Sequence, residues 1–232
     1  MTLSQPQVLL AIPGYRTQFC AAAGAADRVI AEAIQAQVLA EVTRPIGMNI
    51  HQARNAVLHD ASKSQGITHV FFLDDDVVPP PGALMRLLSR QAGVIGGCYP
   101  LRIDKRIKTA AWDWTSQGSA ELYDWSHYEG RLAVRGHLAA GGNLDVITVG
   151  GVGTGCMLIS IDVIRTVLEK WPTPFQSPDE VGPHGGLVNV SDDVYFANRL
   201  RDMGIPVLLD KTVLCKHFGV VEFSEMVEGD DQ

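Results

Sequence analysis

Short apolar runs and apolar helix faces alternate along the first half of the chain. The runs have the length and the β-branched and aromatic composition of buried strands, and they span residues 8–12, 38–42, 70–73 and 93–99. Residues at helical spacing lie between them, at Ala26, Val29, Ile30, Ala33 and Ile34, over residues 49–64, and at Leu84, Leu87 and Leu88. This alternation predicts an α/β fold in which helices flank a mostly parallel sheet.

The second half continues the pattern after an interruption. Strands are predicted over residues 144–148, 156–161, 206–209 and 212–215, with helices that begin at Asp162 and after the N-cap Ser191. Residues at about 101–143 instead combine a basic group with aromatic side chains, including Trp112 and Trp114, which share a face if they lie on a strand. We interpret this segment as an insertion with short antiparallel strands that covers one side of a site. Its aromatics suit a sugar or a base, and they equally suit a small satellite core.

Three consecutive aspartates, Asp74, Asp75 and Asp76, end the apolar run at residues 70–73. They therefore follow a predicted buried strand, at the edge where open α/β sheets bind ligands. Two unit charges about 4 Å apart repel by roughly 4 kcal/mol at an effective dielectric constant of about 20, so three adjacent acids require solvent or a cation. The run is either a solvated acidic turn or a site for Mg²⁺ or Mn²⁺ carrying substrate phosphates, with Asp74 and Asp76 on the same side.

Other features surround this edge. Pro81 is predicted to be the first residue of the helix after the aspartates. Arg54 is either solvated or a fork that binds phosphate or carboxylate beside the acids. The glycines at positions 150, 151, 153 and 155 indicate a loop with unusual dihedrals or room for a ligand, and residues 171–189 are predicted to form a mobile loop over the site.

The composition is that of an ordinary globular chain. Its 232 residues, 46% hydrophobic and 19% charged, suit one domain over residues 1–232 with a flexible acidic tail at about 222–232. The net charge of −7 argues against nucleic-acid binding through the overall field, although it permits a local basic patch. The four cysteines form no CxxC pair, and three lie in apolar runs as buried thiols do. Without a signal or transmembrane pattern, a cytoplasmic location is expected.

Three separated pieces of the chain together resemble the family 2 glycosyltransferases, whose fold is the Rossmann-like GT-A fold. The first piece is the opening strand followed by IPGY. The second is similar to the family's ARN sequence, strand and DxD motif, and it reads HQARNAVLHDASKSQGITHVFFLDDDVVPPPGAL. The third comprises GTGCMLISIDVI and then SDDVYFANRLRDMGIPVLLDKTVLCKH. Residues at about 101–143 have no counterpart in the resemblance.

The resemblance implies a metal site and a donor site. Asp74 and Asp76 would hold Mn²⁺ or Mg²⁺ against the diphosphate of a nucleotide-sugar, His217 would complete the metal site, and Asp75 would lie near the ribose or the metal. Arg54 would approach the diphosphate. The implied donor-binding residues are Pro13, Tyr15, Arg16, Arg54, Asp74 and Asp75.

The resemblance also implies a catalytic base and an acceptor side. Asp193 takes the position of the base, but the family usually has Glu-Asp where this chain has Asp192 and Asp193, so either carboxylate is a candidate. The acceptor side would include Gly153, Gly155 and Trp112. These roles together describe a hexosyltransferase that moves a sugar from a UDP- or GDP-sugar to an acceptor hydroxyl.

Several alternatives stay open at the level of sequence. A nucleotidyltransferase of similar fold would make a nucleotide-sugar, but no glycine-rich triphosphate loop with a lysine or arginine follows the first strand. A binding protein that has lost turnover is a third hypothesis. The family default for the acceptor is a glycan or glycolipid, and the basic group at residues 102–108, followed by tryptophans, also permits a modified DNA base. An amphipathic insertion that lies on a membrane surface is a further alternative.

Overall fold

The structure is a computed structural model that describes residues 5–14, 20–103, 106–116, 118–124, 127–128, 131–132, 137–138, 145–181 and 187–218. Tyr15, Arg16 and the acidic tail therefore lie outside the described residues. In chain order the strands are β1 (Val8–Ala11), β2 (Leu39–Thr43), β3 (His69–Leu73), β4 (Val77–Val78), β5 (Val94–Cys98), β6 (Pro100–Ile103), β7 (Arg106–Trp114), β8 (Ala120–Asp124), β9 (His127–Tyr128), β10 (Arg131–Leu132), β11 (His137–Leu138), β12 (Val146–Val149), β13 (Gly151–Val152), β14 (Cys156–Ser160), β15 (Asp179–Val181), β16 (Leu187–Asn189), β17 (Val207–Leu214) and β18 (Lys216–His217).

The helices largely begin and end where local chemistry predicts. They are α1 (Cys20–Gln35), α2 (Ile50–Lys63), α3 (Ala83–Ser89), α4 (Ile161–Lys170) and α5 (Asp192–Asp202). Ser191 caps α5 by accepting a hydrogen bond from the amide of Val194 at 3.4 Å, as predicted. Gly204, just beyond α5, has the left-handed φ of 67° that favours glycine at a helix end.

The described residues form a central eight-stranded sheet in the order β11-β12-β17-β5-β14-β3-β1-β2. All of its strands run in one direction except β12 and β14, which are antiparallel to their neighbours. The predicted α/β fold with a mostly parallel sheet is confirmed. Because β14 runs against β3 and β5, its first residues lie at the edge where those two strands end.

Alternate residues of the inner strands supply two separate cores, one on each face of the sheet. In β1, Val8 and Leu10 belong to the core shared with α1 and α3, whereas Leu9 belongs to the core shared with α2 and α4. In β3, Phe71 and Phe72 divide in the same way and are fully buried. Burying each such side chain contributes about 1.5–3 kcal/mol, so the sheet is stabilised from both faces.

A smaller antiparallel sheet comes from the segment interpreted as an insertion. Its order is β13-β7-β6, with β8 also paired to β7. The short antiparallel strands expected in this segment are therefore present. Strand β13 comes from outside the insertion and sets Gly151 opposite Trp112, so this sheet joins the insertion to the segment that leads into β14.

Several predicted details are wrong. Helix α3 begins at Ala83 after Gly82, whose φ is 72°, instead of at Pro81. The two predicted final strands are one strand, β17, with an irregular register after Leu209. Ile34, placed on the apolar face of the first helix, is 60% exposed.

Cys98, Cys156 and Cys215 are buried free thiols, as predicted. None of the described helices has both the length and the apolar character needed to cross a membrane.

Candidate active site

Distant parts of the chain meet where β3 ends. The chain turns there, and the amide of Val77 donates to the carbonyl of Asp74 at 3.1 Å. The start of β14 arrives beside this turn, so the amide of Asp74 donates to the carbonyl of Gly155 at 3.1 Å. Strand β18 pairs with β4 and sets His217 opposite Val77. The pairing of strands therefore delivers His217 and the segment before β14 to the aspartates.

The imidazole of His217 lies beside the carboxylate of Asp76, with Nε2 3.3 Å from Oδ2. On the other side of the ring, Nδ1 lies 2.9 Å from the carbonyl oxygen of Pro100. Because a carbonyl oxygen only accepts hydrogen bonds, Nδ1 carries a proton and Nε2 is the nitrogen that faces Asp76. The hydrogen bond to Asp76 raises the pKa of His217 above its ordinary value, although burial opposes the shift.

The chemistry of Asp76 and His217 fits a small divalent cation. Neighbouring ligands about 2.1 Å from an octahedral ion are about 3 Å apart, and Nε2 and Oδ2 are separated by 3.3 Å. Carboxylate oxygen suits Mn²⁺ and Mg²⁺, neutral imidazole is a common metal ligand, and the Pro100 carbonyl orients the ring as outer-shell partners of metal-binding histidines do. Within the described part of the chain, no group of three or more His, Cys, Asp or Glu side chains could hold a metal. Substrate phosphates and water would have to supply the other ligands.

Arg54, on α2, is a buried cation with three carboxylate partners. Its side chain is 4% exposed, and Nη1 lies 2.6 Å from Oδ2 of Asp192 and 3.2 Å from Oδ1 of Asp193. Nη2 donates to both oxygens of Asp74, at 2.9 and 2.8 Å. Of the alternatives from the sequence, a solvated arginine is wrong and the carboxylate fork is present. Its contact with a diphosphate, and the metal-binding role of Asp74, stay predictions.

One positive charge thus faces three negative ones. Burial alone would lower the pKa of Arg54, but the three carboxylates raise it above its ordinary value, so the guanidinium stays charged. Burial raises the pKa of Asp74 and of Asp193, although Arg54 opposes both shifts. The surplus of negative charge favours a cation at this edge of the sheet.

Asp193 is held through one of its two carboxylate oxygens. The hydroxyl of Thr154 donates to Oδ1, the amide of Thr154 approaches the same oxygen at 3.4 Å, and Arg54 reaches it as well. No described residue donates to Oδ2, and the side chain is 23% exposed. Asp192 is 10% exposed and pairs with Arg54. Asp193 is therefore the more accessible of the two candidate bases, with one oxygen oriented and the other without a donor among the described residues.

Asp75 lies against the first loop. A Cβ added to Gly14 would be 2.6 Å from Oδ2 of Asp75, so the carboxylate rests directly on the backbone of Gly14. Pro13 is buried immediately before it. The structure thus places Asp75 against Gly14, the residue that follows Pro13, and both Pro13 and Asp75 were assigned to the donor. Tyr15 and Arg16 follow in the chain but lie outside the described residues.

Solved structures share this arrangement of strands and helices. The crystal structure of A197 from STIV aligns with a TM-score of 0.51 over 92% of this chain and 86% of its own, at 18% identity. GalNAc-T7, solved with UDP, GalNAc and Mn²⁺, aligns with a TM-score of 0.58 over 94% of this chain, at 9% identity. The chain has a GT-A-like fold. It spans 45% of the GalNAc-T7 chain, and at these identities the likeness shows the fold alone. No protein-family model matches the sequence, and neither does any curated protein.

In this GT-A-like fold, the glycines before β14 make room for another side chain of the protein. Neither Gly153 nor Gly155 has a positive φ, so of the two alternatives from the sequence, unusual dihedrals are absent at both positions and room for a ligand stays a prediction. A Cβ at Gly153 would lie 2.2 Å from the hydroxyl oxygen of Tyr99, and one at Gly155 would lie 2.9 Å from it. Tyr99 therefore fills the space beside both glycines. Their assignment to the acceptor side stays a prediction.

Trp112 belongs to a packed layer. It is 2% exposed, a Cβ at Gly151 would lie 2.3 Å from its ring, and it meets Trp114 edge-on with ring centroids 6.5 Å apart. These contacts fit the satellite core that the sequence left open. A role of Trp112 toward an acceptor stays a prediction.

Asn55 and Phe175 were not assigned to the site from the sequence, yet they support it. The side-chain Nδ2 of Asn55 donates to the backbone carbonyl of Phe175 at 2.8 Å, and the backbone N–H of Phe175 donates to the side-chain Oδ1 of Asn55 at 3.0 Å. The Phe175 ring is fully buried and stacks on Phe196 of α5 with centroids 4.2 Å apart. Around Phe175 the predicted mobile loop is therefore anchored. The signal was available, since Phe175 is an isolated aromatic between prolines.

Proposed function

We propose that this protein is a metal-dependent glycosyltransferase that moves a sugar from a nucleoside-diphosphate donor to an acceptor hydroxyl. One observation carries the proposal: the carboxyl edge of the sheet presents the Asp76–His217 pair together with Asp193, whose Oδ1 is held by Thr154 and Arg54. A cation site and an oriented base are the two devices that this reaction needs. The GT-A-like fold, shared with a protein solved with UDP, GalNAc and Mn²⁺, supports the same function.

The donor is proposed to be a UDP- or GDP-sugar. Asp76 and His217 would hold Mn²⁺ or Mg²⁺, which when bound neutralises charge that develops on the diphosphate. Asp75 would lie near the ribose or the metal, and its carboxylate rests on Gly14 in the loop that follows β1. Pro13, Tyr15 and Arg16 would border the base.

Asp193 is proposed to act as the general base. Its Oδ2 would take the proton of the acceptor hydroxyl while the acceptor oxygen bonds to the anomeric carbon. The bond from that carbon to the diphosphate oxygen breaks, and the nucleoside diphosphate leaves with the electron pair. Thr154 and Arg54 keep Oδ1 in place during the transfer. Asp192 is proposed to support Arg54, to which it is paired at 2.6 Å.

The acceptor is proposed to be a glycan or a glycolipid, with a modified DNA base as the second candidate. The second candidate rests on the basic group of residues 102–108. Arg106 is exposed, but Lys108 is already paired with Asp124 at 2.5 Å. An assay with duplex DNA at several salt concentrations separates the two, because phosphate contacts give a steep salt dependence.

Thermal unfolding with UDP, GDP, CDP and TDP, each with and without Mn²⁺, tests the proposal most directly. A preferred nucleotide should raise the melting temperature only when Mn²⁺ is present, and the rise should grow with ligand concentration. Transfer or hydrolysis of the matching nucleotide-sugar should then require Mn²⁺. The proposal is overturned if no nucleoside diphosphate binds in a metal-dependent way. Release of pyrophosphate from a nucleoside triphosphate and a sugar phosphate would instead establish a nucleotidyltransferase.

A further inference from the structure

Tyr99 lies between the two halves of the proposed site. It follows β5 directly and is 5% exposed. It belongs neither to the Asp76–His217 pair nor to the ion pairs of Arg54 with the three aspartates. Its side chain nevertheless contacts His217 and the two glycines that flank Thr154. Its backbone is fixed as well, since its carbonyl accepts a hydrogen bond from the amide of Ala110 at 2.8 Å.

The hydroxyl of Tyr99 supports the side of the site that carries the base. It accepts a hydrogen bond from the amide of Gly155 at 3.2 Å. Only hydrogen can stand at the α-carbon of Gly153 beside it, because a Cβ there would be 2.2 Å from the hydroxyl oxygen. Between these two glycines lies Thr154, whose hydroxyl and amide both reach Asp193. The position of Thr154 therefore depends on how Tyr99 holds the backbone on either side of it.

The ring of Tyr99 supports the side that carries the metal pair. Its centroid is 5.2 Å from that of the His217 imidazole, with the planes tilted by 59°. The next residue, Pro100, supplies the carbonyl that binds Nδ1 of His217. The orientation of this imidazole therefore depends on the ring of Tyr99 and on the backbone that follows it.

We propose that Tyr99 is a positioning residue that fixes the distance between the metal side of the site, at His217, and the base side, at Thr154 and Asp193. This inference rests on the proposed function. Transfer requires the donor carbon and the acceptor hydroxyl to meet in one geometry, and a displacement of about 1 Å can lower a rate by about 100-fold. One rigid side chain in contact with both sides prevents such a displacement.

Two substitutions at Tyr99 separate its two contacts. Tyr99→Phe keeps the ring and removes the hydroxyl, so metal-dependent UDP or GDP affinity should stay within about 3-fold while kcat falls by about 10- to 100-fold. Tyr99→Leu removes the ring as well, so it should also weaken Mn²⁺ binding by about 10-fold or more. If Tyr99 only stabilised the fold, kcat and Mn²⁺ affinity would fall together within each variant, and Tyr99→Phe would not lower kcat alone.

The contact can also be tested from its other side. Gly153→Ala places a methyl group against the Tyr99 hydroxyl and should lower kcat strongly. Adding Tyr99→Phe removes the atom 2.2 Å away and leaves the nearest ring carbon at 2.8 Å, so the double variant should be more active than Gly153→Ala alone. As the control, Tyr123→Phe also removes a tyrosine hydroxyl, but from β8, which carries none of the site residues. It should leave kcat and Mn²⁺ affinity unchanged.

The outcomes distinguish this inference from the function on which it rests. Absence of metal-dependent nucleotide binding by the unaltered protein would overturn the proposed function. If the unaltered protein binds and transfers, an unchanged kcat in Tyr99→Phe overturns the positioning role. So does a double variant no better than Gly153→Ala. Should Tyr99→Phe fail to fold by circular dichroism, the activity of folded Gly153→Ala decides, and activity equal to that of the unaltered protein would overturn the role.

Discussion

Both carboxylate oxygens of Asp74 lie within hydrogen-bond distance of one nitrogen of Arg54, with Nη2 at 2.9 Å from Oδ1 and 2.8 Å from Oδ2. Asp74, the first aspartate of the acidic run, is thus paired with the buried guanidinium of Arg54, whereas Asp76, the third, faces His217. Since Arg54 also binds both acids of α5, one side chain connects the end of β3 to the start of α5.

Replacing Arg54 with Gln should lower the free energy of unfolding by about 3–5 kcal/mol. Removing one partner of a buried ion pair leaves the remaining charges uncompensated, and here three carboxylates lose their shared cation. Urea denaturation monitored by circular dichroism measures the change in the free energy of unfolding. As the matched control, Arg106→Gln removes an exposed guanidinium from β7 and should change stability by less than about 0.5 kcal/mol. Similar losses in the two variants would contradict a stabilising role for the buried cluster.

The two acids that open α5 should respond differently to removal of their charge. Asp193→Asn is expected to lower kcat by about 10²–10⁴-fold, because the amide cannot take the acceptor proton. Its affinity for the nucleotide should not change. Asp192→Asn should mainly lower the melting temperature, because Asp192 is the more enclosed partner of Arg54. Initial rates and calorimetric UDP or GDP titrations distinguish the two effects. Loss of turnover in Asp192→Asn with full turnover in Asp193→Asn would exchange their roles.

His217→Ala should weaken Mn²⁺ binding in the presence of nucleotide by at least about 10- to 100-fold. Residues that only orient a metal ligand already contribute about this much to affinity, and His217 is proposed to be a ligand itself. The signal of free Mn²⁺ in electron paramagnetic resonance titrations gives the dissociation constant. His69→Ala is the control, since His69 begins the same strand that ends before Asp74. Equal Mn²⁺ affinity in His217→Ala and the unaltered protein would remove His217 from the proposed metal site.

Most strands and helix ends, although not the start of α3 or the division of β17, were predictable because their causes are local. The apolar run before Asp74 specifies β3, and Ser191 and Gly204 mark the limits of α5 through a side-chain cap and a left-handed backbone. The order of strands in the sheet is not local. Strand β14 lies antiparallel between β3 and β5, and no spacing within β14 encodes that position.

The acidic residues of the candidate site were easier to predict from the sequence than the buried position of Arg54. A run of aspartates after a buried strand is visible in the sequence, but the burial of Arg54 depends on Asp192, 138 residues away. The two alternatives for the glycines before β14 could not be separated from the sequence for a similar reason. Glycine permits unusual dihedrals and also permits close contact, and only the position of Tyr99 decides between the two at Gly153.

Thr154→Val should move the acidic limb of the kcat profile to higher pH. Burial raises the pKa of Asp193, whereas the hydrogen bonds from Thr154 lower it, so loss of the hydroxyl raises that pKa further. The base acts only when deprotonated, and a higher pKa means that activity is lost at a higher pH as the solution is acidified. Rates measured across the acidic range at saturating donor and Mn²⁺ give the limb directly.

Thr109→Val provides the matched control for this pH experiment. Thr109 is as fully buried as Thr154, but its hydroxyl donates to the carbonyl of Tyr123 at 3.0 Å instead of to an acid. Its acidic limb should coincide with that of the unaltered protein. An unmoved limb in Thr154→Val, or one displaced to lower pH, would mean that Asp193 is not the group whose ionisation controls turnover.

Asn55→Ala should loosen the segment around Phe175 and thereby the start of α5. The substitution leaves a buried N–H and a buried carbonyl of Phe175 without the partner they have in the structure, which costs about 1–3 kcal/mol for each group. Because Phe175 stacks on Phe196, one turn beyond Asp193, its release should speed amide exchange at Phe175 and lower kcat without changing Mn²⁺ affinity. Hydrogen exchange followed by mass spectrometry resolves the segment, with Asn198→Ala on α5 as control. Exchange in Asn55→Ala as slow as in that control would show that the paired hydrogen bonds do not anchor the loop.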